Sequence, residues 1–124
     1  MIDWKRLETR YAKLEWQQRL GNLASTLARA ATAASNPRTA ASVPDLLREG
    51  MWVIEWGQAD TPLDVLIELA PMQKELGLLK RAWEQNNQAV RPLLAFRSRV
   101  MSDQVLKLLG PVQSPVQAPE VTKQ

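Results

Sequence analysis

Only one stretch of this chain, MWVIEW at positions 51–56, has the composition of a β-strand. A strand must send its backbone N–H and C=O groups to a partner. No second run rich in Trp, Val and Ile exists to receive them, and no hairpin turn adjoins this one. The same residues read well as helix. Leu47, Met51 and Ile54 form one stripe, and Trp52 and Trp56, four apart, form a neighbouring stripe. Without a sheet, the chain is expected to be all-α: a small bundle of four to six helices with a long N-terminal helix.

Three-four spacing of apolar residues supports this along most of the chain. Asp3 is placed to cap a helix running to about Ala34. Trp4, Leu7, Tyr11 and Leu14 keep one phase, and Leu20, Leu23, Leu27, Ala30 and Ala34 resume it after a shift. Such a helix would span nearly 50 Å by its rise of about 1.5 Å per residue. It must therefore bend, with Gly21 the weak point, or reach beyond its own subunit. Glu15 and Arg19 are expected to pair along it.

SNPRTAAS, 35–42, reads as a loop, followed by a helix capped by Ser42 and closed at Gly57. TPLD repeats the capping pattern, with Thr61 as cap, Pro62 in the first turn and Asp64 completing the box. The helix it opens is expected to run from Pro62 to Ala70 and to break or kink at Pro71, with Leu63, Leu66, Ile67 and Ala70 facing inward. A further helix should run from about Pro71 to Val90, with Met72, Leu76, Leu79 and Trp83 on its apolar face. Pro92 is expected to interrupt again before two shorter pieces. Residues 1–110 then make a single helical domain, and the Pro-containing segment 111–124 is expected to be a disordered tail.

Composition narrows the function more by exclusion than by indication. The chain has no cysteine and no histidine. That removes disulfides, thiolate metal sites, most zinc geometries and the usual Ser-His and Cys-His relays. The five glycines are scattered and make no phosphate-binding loop. Asp60, Asp64, Glu68 and Glu75 form an acidic row, read as a solvated face suited to docking a basic partner. No catalytic residue, metal ligand or cofactor is expected. Residues 1–20 lack the apolar core of a secretory signal, and no apolar run reaches the length of a membrane span. A cytoplasmic protein is expected, without a transmembrane segment.

Charge alternates along the chain. Residues 1–48 carry eight basic and four acidic side chains, 49–80 two and six, and 81–110 five and two. Such blocks suit orientation of one helical surface on another. The expected function is therefore non-enzymatic: a protein-interaction module, as adaptor, assembly factor or subunit of a larger complex. Self-association, most simply as a dimer, is expected through Leu20, Leu23, Ala24, Leu27, Ala28 and Ala31, where small side chains let another helix come close. Trp52, Trp56 and Trp83 are the expected core or partner anchors. The alternative is a nucleic-acid-associated regulator that contacts phosphates through Arg91, Arg97, Arg99 and Lys107. Trp4 and Trp16 among basic residues make peripheral membrane contact a third, less favoured reading.

Overall fold

The computed structural model describes residues 2–110. The expected tail, 111–124, lies outside the described residues. Among those described there are five α-helices and no strand: α1 Trp4–Ala12, α2 Trp16–Ala34, α3 Val43–Trp56, α4 Leu63–Gln85 and α5 Asn87–Leu109. MWVIEW is the C-terminal part of α3.

Helices α2 to α5 form a four-membered ring. Each packs on the next, and α5 returns to pack on α2. Short connections make successive helices antiparallel. Gly50 lies where α3 meets both its neighbours, because a side chain there would meet Leu76 of α4 and Leu23 and Leu27 of α2. Leu23, Leu27, Leu47, Leu76, Leu94 and Met101 are fully buried around this point. The smaller α1 lies against α3, with Tyr11 as its one buried residue.

The long N-terminal helix is divided, and the division falls at residues 13–15 rather than at Gly21. This is where the apolar phase shifts. Asp3 caps α1, its Oδ1 accepting from Arg6 N at 3.1 Å. Gln18 Oε1 accepts from Glu15 N at 3.0 Å, which starts α2 afresh. The expected Glu15–Arg19 pair does not form. Arg19 is buried instead, donating to Leu14 O at 2.6 Å and pairing with Asp60 in the α3–α4 loop. One guanidinium thus ties the α1–α2 corner to the opposite connection.

Two expected caps are replaced by other bonds. Ser42 Oγ donates to Thr39 O at 2.8 Å, because a short 3-10 turn at Ala40–Ser42 already points it backwards. Thr61 Oγ1 donates to Gly57 O at 2.6 Å, and α4 begins after Pro62 with no side-chain cap.

Neither internal proline ends its helix. Pro71 lies inside α4 and Pro92 inside α5. Both are exposed, so the carbonyls they deprive of a donor face water. The continuity of α4 overturns the inward face expected for its first half. The buried row Met72, Leu76, Leu79, Trp83 continues back through Leu69 and Val65. Leu63, Ile67 and Ala70 are turned outward. The expected helix through Val90 ends instead at Gln85, and Asn86 alone separates α4 from α5. Its Oδ1 accepts from Ala89 N at 3.3 Å and caps the new helix.

Candidate functional site

The alanine-rich seam of α2 is filled from within the chain. Leu20, Leu23, Ala24, Leu27 and Ala31 are buried in the ring, and Ala28 is partly covered. Close approach of α5 accounts for the small side chains: Ser102 Oγ donates to Ala24 O at 2.8 Å. These residues therefore present no open seam to a second chain.

The three tryptophans part company. Trp83 is buried in the core. Trp52 is 38% exposed and stacks on the half-buried Trp56, with ring centres 5.8 Å apart. Trp56 in turn meets Tyr11 at 5.9 Å. Arg48 lies over the Trp4 ring at 4.7 Å, so α1 and α3 share an aromatic shelf. The shelf joins α1 to the bundle, with Trp52 as its exposed edge.

The basic residues do not converge. Arg97 donates to both oxygens of Glu75, at 2.5 and 2.8 Å, across the α4–α5 groove. That bidentate bond holds the guanidinium even more firmly protonated than usual. Arg99 points to the other flank, where it meets Thr32 Oγ1 of α2 at 3.4 Å. Arg91 has its Nε buried, and Lys107 is exposed near the C-terminal end of α5. The acidic row is likewise divided. Asp60 is paired with Arg19 and Glu75 with Arg97, while Asp64 and Glu68 are exposed.

What sequence reasoning missed is the outer face of the α4–α5 hairpin. Leu63, Ile67 and Leu78 on α4 and Leu93 and Phe96 on α5 are each more than half exposed, from 55% at Leu93 to 73% at Leu63. Steps of about 100° per residue place the three α4 side chains on one outward stripe. The same steps place Leu93, Phe96 and Val100 on an outward stripe of α5. The Glu75–Arg97 bond sets the register of the antiparallel pair, so Leu78 and Leu93 lie at nearly the same level of the hairpin. The signal was present in the sequence. Both helices carry two apolar rows, and a helix at the edge of a four-membered ring can bury only one of them.

No family model matches the chain, and no curated protein and no solved structure matches it. No helix among the described residues is long and apolar enough to cross a membrane. Among the same residues no cluster of acidic side chains is arranged to hold a metal ion.

Proposed function

We propose that this chain is a non-enzymatic protein-interaction module, an adaptor or subunit of a larger assembly, whose contact surface is the outer face of α4 and α5. One observation carries the reading. Five large apolar side chains stand in water on one face of one hairpin, outside the buried core of the bundle. Scattered exposed leucines are ordinary, but a run of them along one face marks a surface that meets something else. Phe96 and Leu78 are its natural anchors, since binding energy concentrates in well-packed side chains near the centre of an interface. The polar rim of Lys74, Arg81, Asp64 and Glu68 would set orientation.

Nucleic-acid binding, the alternative expected from the sequence, gains less support. Its four basic residues lie on different flanks of α5, and one of them is engaged by Glu75.

The test is a comparison of captured proteins. The full chain and a Leu78→Glu, Phe96→Glu variant are used as bait in nuclease-treated native extract, after circular dichroism has matched their helix content. A stoichiometric protein, the chain itself included, bound by the natural chain and lost with the variant supports the proposal. Equal recovery with both baits removes this face from consideration.

A further inference from the structure

We infer that the occupant of the α4–α5 face is a second copy of this chain, packed antiparallel so that α4 lies across α4 and α5 across α5. The inference rests on the interaction reading above and names its partner. Its basis is the way charge is laid out around the apolar stripe. At the end of the face where α4 begins and α5 finishes, Asp64, Glu68 and Asp103 are exposed against one exposed base, Lys107. On the same stripe the exposed charge towards the Asn86 corner is Arg81, and Lys74 stands at the middle of α4. Glu75 lies between the two ends and is already neutralised by Arg97, and Glu84 by Lys80. The face is therefore acidic at one end and basic from its middle to the other, along an apolar stripe.

Such a surface is complementary to itself in one orientation only. A two-fold axis lying in the interface and crossing the helices reverses the second copy end for end. Acidic end then meets basic end at both extremes. A register that seats Ile67 on Leu78 of the second copy brings Asp64 beside its Arg81 and leaves Lys74 midway between the Glu68 and the Lys74 of that copy. An axis parallel to the helices would set acid on acid, which opposes that arrangement. The size is also sufficient. A helix of 23 residues is about 34 Å long, and two neighbouring helices are about 20 Å wide. That gives roughly 700 Å² per copy, close to the roughly 800 Å² per partner of a stable interface.

A charge-swap experiment on the full chain tests this. One variant carries Asp64→Lys and Glu68→Lys, the other Lys74→Glu and Arg81→Glu. All four positions are exposed, so both variants should fold, which circular dichroism checks. Sedimentation across a concentration series should give a dimer for the natural chain. Each variant alone should dimerise at least roughly tenfold more weakly, because like charges then face each other. Mixing the two variants should restore a dimer containing one of each. A monomeric natural chain overturns the inference, as does a dimer indifferent to the swaps or a mixture that stays monomeric. If the natural chain is monomeric but still captures a different protein through Leu78 and Phe96, the second copy is rejected and the interaction reading stands. If no capture depends on those residues either, both fall.

Discussion

The hydroxyl of Tyr11 donates to Glu49 Oε2 at 3.0 Å, and this bond pins α1 to the ring. Glu49 is a buried acid that also accepts from Thr26 Oγ1 at 3.2 Å, with Arg29 approaching to 3.8 Å. Thr26 itself accepts from Arg29 at 3.0 Å. A carboxylate taken out of water needs such company, since an unpaired buried charge is costly. Three helices thus converge on one oxygen.

This site should respond to alkali. The Tyr11 phenol is held above its ordinary value of 10.0, first by burial and then by the charge of Glu49. A raised acid favours its protonated form in the folded state, so its contribution is complete below pH 10 and is lost as pH rises through the elevated value. Tyr11 is the single tyrosine of the chain, so phenolate absorbance reads it alone. The titration should lie above that of free tyrosine. Glu49→Gln should move it part of the way back, because burial remains. A midpoint unchanged by Glu49→Gln would remove Glu49 from the account.

Gly50 offers a test of ring tightness. An added Cβ would lie 3.1 Å from Leu76 Cδ1, 3.6 Å from Leu23 Cδ1 and 3.7 Å from Leu27 Cδ2. All three are ends of flexible side chains. Gly50→Ala gains about 1 kcal/mol of helix propensity and requires only a few tenths of an ångström of movement. Urea denaturation should place it within about 1 kcal/mol of the natural chain. Gly50→Val cannot be absorbed so cheaply and should cost about 2–3 kcal/mol. A neutral Gly50→Val would mean that the centre of the ring is looser than its contacts indicate.

Pro71 and Pro92 withhold backbone donors from the interiors of α4 and α5. Both are exposed, so alanine should restore the missing bond without disturbing the core. Pro71→Ala is expected to stabilise the fold by about 1–2 kcal/mol, somewhat less than the full helix penalty of proline, because the unfolded chain also gains freedom. Thermal unfolding would record it as a higher midpoint. A lower midpoint would indicate that a proline-set bend is needed to seat α4 between α3 and α5.

The fold class was legible because periodicity is a property of the whole chain. The rows Leu20, Leu23, Leu27 and Met72, Leu76, Leu79, Trp83 were legible as apolar helix stripes and are buried, although the first was expected at a seam with a second chain. The break at 13–15 was visible as a shift of phase, although Gly21 drew attention away from it. What failed were rules that look only a few residues along. Proline and capping rules put an end at Pro71 and a cap at Thr61, but packing on both sides carried α4 through the first. Gly57 O, one turn back, took the hydroxyl of the second. That misplaced end then turned the first half of α4 inside out in the reading. Arg97 could not be assigned to Glu75, 22 residues away, until the hairpin register was known.

That register is set by very little chain. Asn86 is the only residue between two helices of 23 residues each. A longer connection, such as residues 35–42, can absorb an added residue as a wider loop. The Asn86 corner has no such slack. One residue inserted there would enter α5 and turn everything after it by about 100°. Leu94, Met101 and Val105 would leave the core, and the Glu75–Arg97 clasp would open. The corner acts as the key that sets which side of α5 the solvent meets. A library of single-residue insertions should therefore find residues 35–42 permissive and residue 86 closed.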